Sequence, residues 1–447
     1  MVRESCSFIA FILSFRNCNN SSPILNTSCF YYRLSSEKVC WFFIFISPNF
    51  PKTYYQFPLA WKQLGGRSLA ISDANYNSLS DVQKSAFDDY YQVSSLENYD
   101  EVYRAVAWFA HRYGKIDWLE SNNEYWLFQD AKLRQDFNIT SGDKADDVVH
   151  YKLKSEMKAY YHKANVPTAR YHIVSTYEAG KDFISKVGYP VVVKPNNGVG
   201  SSATWKIRND GELEDFYKIQ LPNEYIMEEY IPGYILSFDG IVDENNKIIY
   251  RTCHVFPNPV MEIVNEKTDC IFWNEIDMPK DLNQMGEKLI HAFDLRSRFF
   301  HTEYFRMTED KEGLGKKGDL IGLEVNMRPP GGYMTDMINY SQDINIYMIY
   351  AKMCMHVQNI VSPHPIYHCV HVGKRDGSHY AHSGLEIFQR FGANIVMHER
   401  MPQVLDAAMG NEFYVARFKT MKELHEFVDF VTEKEVKPHA DKLSQEL

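Results

Sequence analysis

The stretch Gly322-Leu323-Glu324-Val325-Asn326-Met327-Arg328-Pro329-Pro330-Gly331-Gly332 holds residue types that can do chemistry, at a spacing that brings them together. Read as a strand, Ile321, Leu323 and Val325 face apolar packing, while Glu324 and Asn326 face the other way with Arg328 next along. Two oxygen ligands and a guanidinium on one face suit a divalent metal that holds phosphate, the guanidinium steadying charge in transfer. Taken alone, the pattern equally describes the solvated face of an edge strand. The Pro-Pro-Gly-Gly that follows ends the strand and lets backbone approach a ligand closely.

Three upstream segments bear on the same chemistry. Phe299 to Met307 alternates, with His301, Glu303 and Phe305 on one face, and a charged loop from Thr308 to Asp319 joins it to Leu320–Met327 as a hairpin. Glu303 is therefore expected opposite Glu324, and facing carboxylates repel unless a cation bridges them. Mg²⁺ carried by a nucleotide is the natural bridge; an ion pair from Glu303 to Arg298 or Arg306 is the alternative. Tyr189 to Pro195 reads as a buried strand with Lys194 near its end, running into Asn196-Asn197-Gly198-Val199-Gly200-Ser201-Ser202. Amides and hydroxyls of such a loop can wrap phosphate oxygens, with an ammonium beside them. Lys154 lies on a preceding Lys-rich helix, Tyr151 to Ala164. Met227-Glu228-Glu229-Tyr230-Ile231 alternates acceptors and backbone groups in a way that suits an adenine ring, or is simply a strand with two acids.

The elements that must position these residues follow from periodicity and punctuation. Trp41 to Ile46 is an apolar run of buried-strand length, followed by a helix over Tyr54–Leu64, strands over Ser68–Ser72 and Tyr90–Val93, a helix over Tyr99–Tyr113 and a strand over Asp117–Glu120. This β-α-β-β-α-β order predicts an open α/β sheet, without the Gly-x-Gly-x-x-Gly turn of a dinucleotide site. Ser141-Gly142-Asp143 marks a boundary. Beyond it come the segments above, a hairpin of Ser237–Val242 with Lys247–Thr252, a helix over Leu282–Phe293, and a closing α+β unit with a strand at Asn411–Phe418 and a helix at Met421–Thr432.

A chain of 447 residues has room for two or three domains, and a 45% hydrophobic, 24% charged composition is that of a soluble globular protein. A net charge of -10 argues against nucleic-acid binding, and no apolar run reaches the ~20 residues of a membrane span. Eight cysteines without a CxxC pair point to reduced thiols in the cytoplasm rather than zinc or disulfides. His364, His368, His371, His379, His382 and His398 are irregularly spaced and read as loop and interface histidines. Residues 1–40 read as a disordered or spurious extension and stand outside the fold argument.

Taken in order, Lys154, Val191-Val192-Val193-Lys194-Pro195, the Gly198–Ser202 loop, Met227 to Gly233, Glu303 and Glu324 to Pro329 resemble the ATP-grasp superfamily from about Phe43 to about Met355. Within it the chain is most similar to carboxylate–amine ligases such as the L-amino acid ligases and carnosine synthase-like proteins. The resemblance implies mixed α/β and α+β architecture: a pre-ATP-grasp substrate domain at 41–145, a two-lobed ATP-grasp domain at 146–362 with a lid lobe at about 185–235, and a C-terminal α+β domain at 363–447. It implies ATP phosphates on Lys154 and Lys194 under a lid of Asn197, Gly198, Gly200, Ser201 and Ser202, and adenine on Glu228, Glu229 and Ile231. It also implies Mg²⁺, replaceable by Mn²⁺, on Glu303, Glu324 and Asn326, and Arg328 as the catalytic cation. Tyr333 and Asp336 are candidates to face the acceptor; Asp336 is equally a helix cap.

The implied partners are a small carboxylate and an amine, amino acids among them, in a homodimer with no nucleic acid or membrane. Two departures stand out. Tyr234-Ile235-Leu236 occupy positions where relatives carry an acid for the ribose, the next acid being Asp239, and Leu153 replaces a frequent Asp. The implied reaction is amide formation through an acyl phosphate, with release of ADP and phosphate. Activation of bicarbonate, as in biotin carboxylase or carbamoyl-phosphate synthesis, is an alternative. A nucleotide-binding protein without catalysis is a second.

Overall fold

Four short parallel strands open the fold in the computed structural model, which describes residues 41–198, 204–357, 360 and 364–435. They are β1 (Phe42–Ile46), β2 (Arg67–Ser72), β3 (Asp89–Gln92) and β4 (Trp118–Glu120), in the order β3-β2-β1-β4. The expected strands and helices of this region are present, with a short helix, Asp81–Ser85, added between β2 and β3 where none was expected. The helix Tyr99–Tyr113 starts at Asn98, whose side chain accepts from the Glu101 amide, and stops at Gly114, where φ is +86°. The residues 1–40 set aside above lie outside the described residues.

A second sheet, in the order β5-β8-β6-β7, contains β5 (Tyr171–Ile173), β6 (Val191–Pro195), β7 (Trp205–Ile207) and β8 (Tyr225–Glu229). The third is nine-stranded: β9 (Gly233–Val242), β10 (Ile248–Thr252), β11 (His254–Phe256), β12 (Cys270–Asn274), β13 (Arg298–Met307), β14 (Leu320–Asn326), β15 (His368–Lys374), β16 (Ile395–Arg400) and β17 (Glu412–Phe418). Its order is β14-β13-β9-β11-β12-β15-β17-β16, with β10 on β9. β9 runs four residues earlier than its alternation predicts. It pairs with β13 along its whole length, from Arg298 opposite Val242 to Met307 opposite Gly233. Tyr234 to Leu236, outside the expected strand, are thereby drawn into the ladder.

The helix Lys154–Lys163 is three residues shorter at its start than expected, a 3₁₀ turn, Val149–Tyr151, preceding it. No side chain of Leu153 caps it. Instead Asn196, in the turn after β6, supplies both acceptors: its carbonyl takes the Lys154 amide at 3.0 Å and its Oδ1 the Ser155 amide at 2.9 Å. The helix also packs tightly on β14. A Cβ on Gly322 would meet the Tyr161 ring at 2.2 Å, so only glycine lets Tyr161 cross the strand there. Tyr161, Phe238, Leu289, Phe293, Tyr304 and Val325 then form one buried cluster with the helix Lys280–Phe293 on the large sheet. Burying such aromatic and branched side chains is worth roughly 1.5–3 kcal/mol each. This packing fixes the start of the Lys154 helix over the polar end of β14.

Candidate active site

Three neighbouring strands of the large sheet set out a polar grid. Register places Ser237 of β9, Glu303 of β13 and Glu324 of β14 in one row, and Asp239, His301 and Asn326 in the next. The cross-strand opposition of Glu303 and Glu324 expected from alternation is present. Above this grid lies a cavity. Lys154, Lys194 and Glu228 line one part of it, Glu303, Glu324, Asn326 and Arg328 another, and Tyr230, Ile231, Ile235 and Phe305 give it an apolar wall.

The lysines and acids interlock. Lys154 Nζ lies 3.1 Å from Glu324 Oε1 and donates to the Gly198 carbonyl at 3.1 Å. Glu228 sits between two ammoniums, Lys158 at 2.5 Å on one oxygen and Lys194 at 2.6 Å on the other. Burial would push the Glu228 carboxyl up, but the two lysines outweigh it and hold it down to about 2. Glu324 is lowered in the same way: burial opposes ionisation, and Lys154 and Lys194 prevail. Lys194 is raised despite burial, by Glu228 and Glu324. Lys158 is lowered because desolvation dominates there. The cavity is thus lined by charged side chains that neutralise one another.

Glu303, Glu324 and Asn326 form an all-oxygen donor set, the chemistry that Mg²⁺ prefers. Among the described residues no three His, Cys, Asp or Glu side chains converge as a metal cage. Two carboxylates and an amide fit a metal whose remaining positions are filled by water and phosphate oxygens, as Mg²⁺ commonly is. Arg328, just past β14, points its Nε at Glu124 Oε2, 3.9 Å away, and Glu124 also takes Lys152 at 3.0 Å.

The remaining sequence candidates fall in different places. Glu229 turns away from the cavity: its buried carboxylate is held by Arg170 at 2.7 Å, so it presents backbone only. Asn197 is exposed and bridges to Leu153 through its backbone, and Gly198 meets Lys154. Gly200, Ser201 and Ser202 lie outside the described residues. The structure does not bring Tyr333 or Asp336 to the cavity. Tyr333 is buried with its ring stacked on Phe413 at 4.6 Å, and Asp336 is buried against Gln56 and Tyr347, each at 3.2 Å. Asp239 has no freedom to serve a ribose: Oδ1 contacts His301 Nδ1 at 2.5 Å and Oδ2 contacts His254 Nδ1 at 2.7 Å.

With this geometry, the likeness to known proteins takes a definite form. Residues 154–226, from the first lysine of the site through the small sheet, match the family described as carbamoyl-phosphate synthase L chain, ATP binding domain. The L-amino acid ligase from Bacillus licheniformis superposes with a TM-score of 0.66, covering 88% of this chain and 97% of that one at 15% identity. The chain has the ATP-grasp fold.

A second ATP-grasp structure, the biotin carboxylase domain of 2-oxoglutarate carboxylase from Hydrogenobacter thermophilus, is a complex with MgADP, ADP and bicarbonate. It superposes with a TM-score of 0.60 at 14% identity, covering 84% of this chain and 86% of that one. Local sequence similarity is higher. The chain is 30% identical over 103 residues to the chloroplastic phosphoribosylamine–glycine ligase of Arabidopsis thaliana, covering 21% of this chain and 19% of that protein. It is 40% identical over 72 residues to D-alanine–D-alanine ligase A of Clostridium perfringens, covering 15% and 24%. The chain therefore matches about a quarter or less of the length of these curated relatives. No helix among the described residues is long and apolar enough to cross a membrane.

Sequence reasoning missed Lys158 and the His254–Asp239–His301 cluster. Lys158 stands four residues after Lys154, on the same helix face, and that spacing was its only signal. His301 was legible as a face-mate of Glu303, but its contact with Asp239 depends on which strand lies beside β13.

Proposed function

We propose that the protein is an ATP-dependent carboxylate–amine ligase, binding ATP with Mg²⁺ and joining a small carboxylate to an amine, amino acids among them. One observation carries this reading: Lys154, Lys194, Glu303, Glu324, Asn326 and Arg328 converge on one cavity of an ATP-grasp fold. The lysines supply charge for phosphates, while Ile231, Ile235 and the backbone from Glu228 to Ile231 offer an apolar, hydrogen-bonding slot for a base. Glu303, Glu324 and Asn326 would hold Mg²⁺, which when bound shields the charge of the phosphate oxygens.

In the proposed reaction a substrate carboxylate oxygen attacks the γ-phosphorus, the bond to the β-phosphate oxygen breaks, and ADP leaves. The amine nitrogen then attacks the acyl carbon, the acyl–oxygen bond breaks, phosphate departs and the nitrogen loses a proton. Arg328 stabilises the charge that builds on the oxygens, and the chemistry needs positioning more than a protein nucleophile. We also propose that the parallel sheet (41–145) and the C-terminal strands (363–447) flank an ATP-grasp unit (146–362, lid lobe about 185–235). A cytoplasmic homodimer is the proposed setting: the described cysteines are unpaired and buried, and a fold neighbour is described as a dimer.

The test is Mg²⁺-dependent phosphate release from ATP, screened over carboxylate–amine pairs, with mass detection of the amide. Release that requires both partners supports the ligase. Release with bicarbonate alone would move the reading to carboxylate activation of the biotin-carboxylase kind, and nucleotide binding without turnover would remove the enzyme.

A further inference from the structure

Beside the row of Glu303 and Glu324 lies a buried polar cluster of which His301 reaches the cavity wall, while Asp239, His254 and Ser237 do not. Asp239, fully buried, is held by three groups: His301 Nδ1 at 2.5 Å, His254 Nδ1 at 2.7 Å and the Ser237 hydroxyl, which donates at 2.5 Å. Ser237 Oγ in turn accepts the His254 backbone amide at 3.0 Å. The far nitrogen of His301, Nε2, lies 3.5 Å from Glu303 Oε1. Phe238 and Phe300, on the opposite face of the same strands, are buried in apolar surroundings.

Such a cluster is a poor way to stabilise a sheet. Placing a carboxylate and two imidazoles out of water costs several kcal/mol per ion unless every group is matched, and apolar side chains of similar size often do better. The cluster does, however, determine one thing. With Nδ1 engaged by Asp239, the His301 ring is oriented and its Nε2 aims at one oxygen of Glu303, leaving the other for a cation. Register supports the same role, since His301 stands directly between Asp239 and Asn326 across the three strands.

Resting on the nucleotide-site reading above, we propose that His301 is a positioning residue for the metal, set by Asp239 and backed by His254, and that it orients Glu303 for Mg²⁺ before nucleotide arrives. Outer hydrogen-bond partners of metal-binding carboxylates typically matter by about 10- to 100-fold in metal affinity. His301 therefore acts through Glu303.

The experiment is calorimetric binding of a non-hydrolysable ATP analogue to the full chain, with and without Mg²⁺, in wild type, His301→Leu, His301→Gln and Asp239→Asn. The expected result is metal-free analogue affinity close to wild type in each variant. The enhancement by Mg²⁺ should fall about 10- to 100-fold in His301→Leu. His301→Gln, which keeps a donor for Glu303, should recover part of it. Equal Mg²⁺ enhancement in wild type and variants overturns the proposal, as does an equal loss with and without metal, which would make His301 merely structural. Should His301→Leu fail to fold, His301→Gln and Asp239→Asn carry the same comparison. A wild type that binds no analogue under either condition overturns the nucleotide site itself, a result distinct from unchanged metal coupling.

Discussion

Glu303 and Glu324 stand directly opposite each other on adjacent antiparallel strands, and Lys154 meets the pair only through Glu324, at 3.1 Å. Facing carboxylates are unfavourable in a ladder, and a cation between them would relieve that repulsion. A ligand bound at 100 times its Kd adds about 2.7 kcal/mol of stability. Mg²⁺ with ADP should therefore raise Tm by several degrees beyond ADP alone. Glu303→Gln and Glu324→Gln should each erase most of the Mg²⁺-dependent part, as read by scanning calorimetry; an unchanged increment would place the metal elsewhere.

Among the described residues Arg328 has no compact ion pair, its nearest carboxylate, on Glu124, being 3.9 Å away. Arg328→Ala should leave MgADP affinity within a few-fold of wild type. Turnover should drop by about 10²- to 10³-fold, the range for losing one group that stabilises transition-state charge. Steady-state phosphate release alongside ADP titration separates the two. A matching loss in both would make Arg328 a nucleotide-binding residue.

Glu228 is shared by Lys158 and Lys194, Glu228 and Lys158 being buried and Lys194 nearly so. Removing one partner from a buried ion group typically costs about 3–5 kcal/mol, since it leaves charge uncompensated. With a second lysine still on Glu228, Lys158→Met should cost toward the lower end. In a Glu228→Gln background the same change should cost less, and the difference measures the coupling in a double-mutant cycle. Additive losses by urea denaturation would mean that the short contact contributes nothing.

Two buried groups that do not line the cavity should give stability opposite slopes with pH. Burial pushes His371 down to about 4, against one hydrogen bond with the Met409 carbonyl. The unfolded chain therefore takes up its proton first, and stability is lost as pH falls from 6.5 toward 4. Burial pushes Asp336 up to about 6 from 3.8, so its contribution is present at low pH and is lost as pH rises through about 6. Each is worth on the order of 3 kcal/mol across its window. Denaturation of His371→Gln and Asp336→Asn at several pH values, each subtracted from wild type, should give difference curves of opposite slope between about pH 4 and pH 6. Parallel curves would contradict the assignment.

The sequence by itself determined what local pattern can determine. Period-two alternation placed Glu324 and Asn326 on one face and Glu303 on the matching face of the strand before it, so that antiparallel pairing of the two could set Glu303 against Glu324. Lys194 at the end of an unbroken Val191-Val192-Val193 run and the helix ending at Gly114 were legible for equally local reasons. The order of these segments was enough to suggest the ATP-grasp fold.

Only tertiary structure decided who neighbours whom. Glu229 is as acidic as Glu228, yet one step along β8 turns it to Arg170 and away from the cavity. Asp239 was in the sequence only the next acid after Gly233; the docking of β9 between β13 and β11 makes it the partner of two histidines. Tyr333 and Asp336 follow the strand closely in sequence, but the helix Met334–Gln342 carries them into apolar packing and a buried hydrogen-bonded corner. In each case the deciding contact spans strands or helices far apart in the chain. Periodicity assigns a side chain to a face, and only packing decides what that face meets.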